Sequence, residues 1–258
     1  MKESNTRFVG KVLYHFSEVP STNAFALELL SKTKPAEGTV ISAHHQTQGR
    51  GQIGSSWESA PGENLTLSFI FYPHFLLPTQ QHFLGKIFAL AARDLTGAHI
   101  PSKPALVKWP NDIIAGDRKI GGILVQNSIQ GERLQYTVAG IGLNINQCHF
   151  LQYDPPATSL ALETGKTFDT EQLRDELCNR IEVYYEILRS GAYHSIDQMY
   201  LNHLMLLNQP AVFQRQSNRE TFEGHIRGVS DSGLLIVEHH GMSETFGLKE
   251  IRLLTFSN

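Results

Sequence analysis

ALVKWPNDIIAGDRKIGGILVQ, residues 105–126, decides what kind of fold this chain can have. ALVKWPND (105–112) reads as a strand entering a polar corner. IIAGDRKIGGILVQ (113–126) reads as a β-hairpin with Gly116-Asp117 as its turn. Hairpins interleaved with helices point to an α+β fold rather than a doubly wound parallel sheet.

The neighbouring segments extend the pattern. Toward the N-terminus, residues 78–98 have helical period, with Leu84, Ile87, Phe88, Ala91 and Leu95 inward. NLTLSFIFYP (64–73) is strand-like and too apolar to be exposed on both faces, and GTVISAH (38–44) is a short strand. Residues 8–16 read as a first strand, ended by Pro20. Ser21 or Thr22 can then cap a helix whose inward face carries Phe25, Ala26, Leu29 and Leu30, closed by Pro35 and Gly38. Toward the C-terminus, LQYTVAGIGLNIN (134–146) is a strand ending in a polar turn, and ATSLALETG (157–165) a short helix. A longer helix over 170–191 is opened by Thr170 and closed by Gly191. From about residue 208 come AVFQ, ETFEGHIRGV, GLLIVEHH, SETFGL and EIRLLTF, short strands at close spacing. They read as a small appended β-barrel. The expected division is 1–206 and 207–258.

Composition narrows the class. The 258 residues are 41% hydrophobic and 18% charged, with net charge −3. The pI near 6.5 argues against a primary nucleic-acid binder. Cys148 and Cys178 have no paired spacing, which suits a reducing cytoplasm better than a secreted disulfide framework. MKESNTRFVGK has no apolar core of signal-peptide length, and no apolar run reaches the roughly 20 residues of a membrane helix.

Three polar-glycine segments interrupt the apolar strands: GRGQIGSSW (49–57), KWPNDIIAGDRKIGG (108–122) and GIGLNIN (140–146). Singly, each is an ordinary turn. Together they carry more. Gly49, Gly51 and Gly54 let backbone N–H groups approach an anion, and Arg50 adds a forked, permanent cation. The spacing fits neither a P-loop nor a dinucleotide-binding fingerprint. Lys108 and Lys119 flank the hairpin, and Gly121-Gly122 would let a ligand approach the strand backbone. Trp57 is either a core residue or a cover for an aromatic base.

STN (21–23), QTQGRGQIGSSW (46–57), KWPND (108–112), RKIGGIL (118–124) and GIGLNIN (140–146), in this order, resemble the motifs of biotin protein ligases. The likeness spans nearly the whole chain. It resembles the short class without an N-terminal helix-turn-helix domain, since about 20 residues precede STN. The resemblance implies a mixed sheet flanked by helices, of the class II aminoacyl-tRNA-synthetase-like kind, with an SH3-like C-terminal domain. It implies formation of biotinyl-5′-adenylate from biotin and ATP with Mg²⁺. Transfer to a lysine of a biotin carboxyl carrier domain follows. No DNA and no membrane partner is expected, and a homodimer through the sheet of the large domain is one alternative to a monomer.

Residue by residue, the resemblance places Ser21, Thr22, Asn23 and Gln46 at the biotin end, with Gly49, Arg50, Gly51, Gln52, Lys119 and Gly122 also around biotin. Arg50 and the backbone of Gly49 and Gly51 would hold the carboxylate and α-phosphate, and Lys119 would bridge them. Lys108 would assist or support Asp112, which orients the carrier lysine. Trp57, Asn111 and Asn144 would sit near adenine, ribose and phosphate or metal; no metal-ligand set is assigned. The family loop runs Gly-Arg-Gly-Arg-x-Gly-Arg-x-Trp. Here Gln52 and Ser55 replace the second and third arginines and Ile53 fills the variable position, so the cationic work falls on Arg50, Lys108, Arg118 and Lys119. Two alternatives stand beside this reading. A lipoate or octanoyl transferase is opposed by KWPND followed by RKIGG, although Cys148 follows the GIGLNIN strand. A non-catalytic biotin-sensing protein is supported by the thinned arginine loop.

Overall fold

The structure, a computed structural model, describes residues 6–52, 54–152 and 155–254; Ile53 lies outside them. Seven strands form the larger sheet: β1 (Leu13–Val19), β2 (Thr39–Gln46), β3 (Asn64–Phe71), β4 (Ala105–Lys108), β5 (Asp112–Ala115), β6 (Arg118–Gln130) and β7 (Arg133–Asn144). Their order is β1-β2-β3-β7-β6-β5-β4. β1 and β2 run parallel and the remaining neighbours antiparallel, so the sheet is mixed.

Alternation along β3 explains how the sheet is covered. Leu65, Leu67, Phe69 and Phe71 enter the large core with Leu84, Ile87, Phe88, Ala91 and Leu95 of α2 (His82–His99). Ile70, on the other face, packs with Ile41, Val138 and Ala26 of α1 (Thr22–Lys32). All eight β3 residues are buried, as a central strand with both faces covered requires. Each large side chain so buried contributes about 1.5–3 kcal/mol before entropy is counted. α1 starts where its cap dictates: the Ser21 hydroxyl accepts the Ala24 N–H, freeing Thr22 and Asn23 to point elsewhere. α3 (Leu160–Thr164), α4 (Thr170–Arg189) and α5 (Tyr193–Asn202) complete the helices. Among the described residues, no helix is long and apolar enough to cross a membrane.

Several expected boundaries move. Residues 8–12 lie outside β1, which starts at Leu13; Val9 is fully buried in a loop whose Arg7, Phe8 and Val9 N–H groups donate to the Glu182 carboxylate at 2.7–3.0 Å. Burial opposes charge on Glu182, but these donors hold its pKa below the ordinary value. Apolarity there marks burial, not a strand. Asp169, not Thr170, caps α4, its carboxylate accepting from Glu171 and Gln172, and Ser190 precedes Gly191 as the C-cap. α5 was not expected.

The C-terminal strands β8 (Pro210–Arg215), β9 (Thr221–Val229), β10 (Leu235–His239), β11 (Met242–Phe246) and β12 (Ile251–Leu253) form a sheet in the order β11-β10-β9-β8-β12. β11 and β12 remain its two edges, so the expected closed barrel is an open five-stranded sheet. Its Phe213, Phe222, Ile226, Leu235, Val237 and Phe246 join the large core. A polar tie also docks it: the Trp109 indole N–H donates to Gly233 C=O at 3.2 Å.

Candidate active site

The face of the large sheet beyond α1 carries a row of glycines. Gly140 stands opposite Ser68 on one side and Leu124 on the other; Gly142 stands opposite Thr66 and Gly122. Residues directly opposite share a face, so Gly122, Gly140 and Gly142 form a floor without side chains. What lies on it demands glycine. A Cβ on Gly140 would stand 2.4 Å from Asn23 Oδ1, and one on Gly142 2.3 Å from the Trp57 indole.

A polar network closes one end. Gln46 Oε1 accepts the Thr22 N–H at 2.8 Å and the Thr22 hydroxyl at 3.1 Å. The Ser68 hydroxyl donates to Asn23 Oδ1 at 2.6 Å and lies 2.7 Å from Thr22 Oγ1; Asn23 Nδ2 donates to Gln126 Oε1. Ser21, Thr22, Asn23 and Ser68 are buried. Shared protons fix their orientations, and a ligand would meet a preset donor and acceptor pattern.

The cationic corner follows from register. β4 and β5 form a hairpin closed by the pair Lys108–Asp112, with Trp109-Pro110-Asn111, including a cis Trp109–Pro110 peptide, as its turn. Between β5 and β6 a bulge lets Ile114 face Lys119 while Asp112 faces Gly122. Lys119 and Gly122, three residues apart, therefore share the face of Asp112. Lys119 Nζ lies 2.6 Å from Asp112 Oδ1 and Lys108 Nζ 3.5 Å from Oδ2, so the carboxylate sits between two ammonium groups. Asn111 pins this corner to β6: its Nδ2 donates to Ile123 C=O at 2.6 Å and its C=O accepts the Ile123 N–H.

The described residues of the 46–57 loop, 46–52 and 54–57, form a tight ribbon. Trp57 N–H donates to Gly49 C=O, Gly51 N–H to Ser55 C=O and Ser55 N–H to Gln52 C=O. The expected glycine cradle is differently employed. A Cβ on Gly49 would stand 2.3 Å from the Trp57 carbonyl oxygen, and the Gly51 N–H is spent inside the ribbon. Arg50 is exposed at the cavity mouth. Trp57 is carried onto the glycine floor, with Lys119 Nζ 5.8 Å from its ring centre. Its buried Nε1 has no hydrogen-bond partner among the described residues.

At the end of the floor, on the same strand face, Asn144 is 4% exposed. Its Nδ2 donates to Thr158 C=O at 2.9 Å, leaving the buried Oδ1 without a partner among the described residues. The segment 156–158 pairs with Lys119 through Lys119 N–H to Pro156 C=O and Thr158 N–H to Lys119 C=O. Glu163 anchors it, accepting the Thr158 hydroxyl at 2.6 Å and pairing with Lys103 and Arg118. Burial opposes its charge, but Lys103, Thr158 and Arg118 together hold the Glu163 pKa below the ordinary value.

These parts surround one cavity of about 940 Å³, within the range that holds small-molecule ligands. It brings together Ser21, Thr22, Asn23, Gln46, Arg50, Gly51, Gln52, Trp57, Lys108, Asn111, Asp112, Lys119, Gly122 and Asn144, whereas Gly49, expected beside biotin, does not line it. Sequence reasoning missed Ser68, Gln126, Thr158 and Glu163, and gave no role to Gly140 and Gly142, although the two-residue alternation of Gly140, Gly142 and Asn144 signals one strand face. It also missed Gln216, Lys249 and Arg252 of the C-terminal unit, which line the same cavity.

Comparison with known proteins agrees with this geometry. The model of the biotin/lipoate A/B protein ligase family matches residues 16–144. The biotin–[acetyl-CoA-carboxylase] ligase of Paracoccus denitrificans is 30% identical over 224 residues, 84% of this chain and 90% of that protein. The bifunctional ligase/repressor BirA of Bacillus spizizenii is 28% identical over 251 residues, 92% of this chain and 74% of that protein. The biotin protein ligase of Aquifex aeolicus, solved in complex with biotin and ATP, has the same fold: TM-score 0.77 at 23% identity, covering 94% of this chain and 98% of that one. With a family model spanning half of its length and a relative 30% identical over 84% of it, this chain belongs to the biotin/lipoate A/B protein ligase family.

Proposed function

We propose that this protein is a biotin protein ligase: it activates biotin with ATP to biotinyl-5′-adenylate and transfers the biotinyl group to a lysine of a biotin carboxyl carrier domain. One observation carries the reading. A side-chain-free floor of Gly122, Gly140 and Gly142 runs between the Thr22–Asn23–Gln46–Ser68 network and the Lys119–Asp112 pair. Such a slot suits a compact fused bicycle whose planar ureido group needs donors and acceptors at one end and whose carboxylate needs a cation at the other. The names of the relatives, biotin–[acetyl-CoA-carboxylase] ligase and a ligase bound to biotin and ATP, support the same assignment.

In the first step a biotin carboxylate oxygen bonds to the α-phosphorus. The bond from that phosphorus to the bridging oxygen of the β-phosphate breaks, and pyrophosphate leaves with the electron pair. Two anions must meet, and the Lys119 ammonium offsets their repulsion as charge gathers on the phosphoryl oxygens. Arg50 serves the same charge from the mouth, with Lys108 and Asp112 holding Lys119 in line. In the second step the carrier lysine amine attacks the carbonyl carbon of the anhydride and AMP departs; Asp112 orients the amine and takes its proton. Trp57, Asn111 and Asn144 hold the nucleoside, the unpaired Asn144 Oδ1 accepting an N–H. Mg²⁺ bound with the triphosphate would lower the charge between phosphates, with Asn111 and Asn144 as its nearest candidate neighbours. The dependence on ATP and the free thiols Cys148 and Cys178 suit the cytoplasm.

Incubation with biotin, ATP and Mg²⁺, followed by chromatography for biotinyl-adenylate and pyrophosphate, tests the reading. Adenylate formed from biotin and not from lipoate or octanoate is the expected result. No adenylate at saturating substrates removes the ligase assignment; preference for lipoate moves the chain to another branch of its family.

A further inference from the structure

Gln126 does not line the cavity, yet it holds a residue that does. It stands half-buried on β6, opposite Val138. Its Oε1 accepts from Asn23 Nδ2 at 2.9 Å, across 103 positions of chain.

The consequence follows from the chemistry of an amide. The two ends of an Asn side chain have nearly the same shape and opposite hydrogen-bonding character, so its partners alone decide which end faces where. Asn23 is 4% exposed and has three side-chain partners among the described residues. The Ser68 hydroxyl, 2.6 Å from Oδ1, fits either orientation, because a hydroxyl can donate or accept. The Leu124 carbonyl can only accept, but it lies at 3.4 Å. Gln126 supplies the close acceptor. A joint flip of both amides would set Asn23 Oδ1 against the Leu124 carbonyl, acceptor to acceptor. One arrangement is therefore favoured, with Nδ2 toward β6. It leaves the oxygen over the glycine floor: an added Cβ on Gly140 would stand 2.4 Å from Oδ1 and 3.1 Å from Nδ2.

An acceptor at the floor calls for a donor on the ligand. A cyclic urea offers an N–H at its end, whereas a dithiolane ring or an alkyl chain offers none. We propose that Gln126 is a positioning residue for ligand choice. It locks Asn23 with its oxygen toward the floor, where that oxygen accepts a ureido N–H of biotin. Acids with an apolar far end are disfavoured, since they cover the oxygen and return no hydrogen bond. This rests on the ligase reading.

Calorimetry of biotin binding to the whole chain, at about pH 8 where a Glu is ionised, tests it with Gln126→Glu and Gln126→Met. Glu can only accept and should keep the affinity within about twofold. Met keeps the length and removes the acceptor, so biotin affinity should fall about tenfold, the size of one lost hydrogen bond. The KM for ATP should stay constant, and the preference for biotin over lipoate in competition should narrow by the same factor. Biotin methylated at its ureido nitrogens completes the cycle: methylation should cost the unaltered chain about tenfold more than it costs the Met variant, because donor and acceptor act as one pair. Unchanged biotin affinity in the Met variant overturns the proposal. So does a loss with Glu as large as with Met, or an equal loss for biotin and ATP. An unaltered chain that binds no biotin sinks the ligase reading, and the role of Gln126 with it.

Discussion

Two glycine-punctuated segments bring cations to the same cavity by different means. In the β5–β6 hairpin, cross-strand register and one bulge place Lys119, and a carboxylate 2.6 Å away holds its ammonium. In the 46–57 loop, three short-range backbone hydrogen bonds shape the ribbon, and Arg50 at its side is exposed. A strand in the middle of a sheet moves only if its neighbours move, whereas a ribbon held by local bonds opens at small cost. The group that must meet the reacting atoms most closely therefore stands on the sheet, and the loop supplies a cover and a second charge.

The sharpest way to break this contrast is to exchange the two cations for alanine. Lys119→Ala should lower the rate of adenylate formation by about 10²–10³-fold, the scale of losing one preorganised transition-state donor. Its thermal unfolding should match that of the unaltered chain. Arg50→Ala should cost only about tenfold, mostly in the KM for ATP. Equal losses in single-turnover assays would erase the distinction between sheet and loop.

The floor offers an intermediate test. Gly142→Ala pushes a methyl group into the Trp57 indole, and overpacking of this kind costs about 1–3 kcal/mol. Biotin affinity measured by calorimetry should fall about tenfold or more, and adding Trp57→Ala should recover part of it. Without recovery, the indole and the floor are not one surface.

Glu163→Gln examines what lies behind the hairpin. It keeps an acceptor for Thr158 but removes the charge that holds Lys103 and Arg118. A three- to fivefold rise in the KM for ATP is expected, about 1 kcal/mol, with the KM for biotin unchanged. An equal effect on both substrates would make Glu163 merely structural.

The smallest effect lies on the C-terminal sheet, at a pair that does not line the cavity. A hydrogen bond from Arg215, helped by His239, holds the Glu244 carboxyl down to about 2. A depressed carboxyl contributes stability above its unfolded value, and the contribution disappears as pH falls toward 2. Glu244→Gln should lower Tm by about a degree or two at neutral pH, since the pair is largely solvent-screened. The gap should close in acid. A constant gap from pH 7 to 2 would rule out the charge as its cause.

Much of the fold was legible because apolar periodicity reports burial directly. The β3 run, the inward face of α2 and the Gly116-Asp117 turn all stand where their patterns place them. The same logic misled at residues 8–12, where Val9 is buried in a loop whose N–H groups Glu182 satisfies from 173 residues away. It also closed a barrel that stays open, because strand spacing says nothing about whether the two edges meet.

By itself the sequence determined the α+β class, the antiparallel hairpin at its centre and the residue types of the site. Those depend on local period, turn chemistry and the order of short motifs. Tertiary structure alone decided which groups meet. The bulge that turns Lys119 toward Asp112, the register that aligns Gly122 with Gly142, and the bond that ties Gln126 to Asn23 join positions far apart along the chain or shift which face a residue occupies. Such juxtapositions are set by strand pairing and by the packing of two sheets into one core, and no local signal in the chain records them.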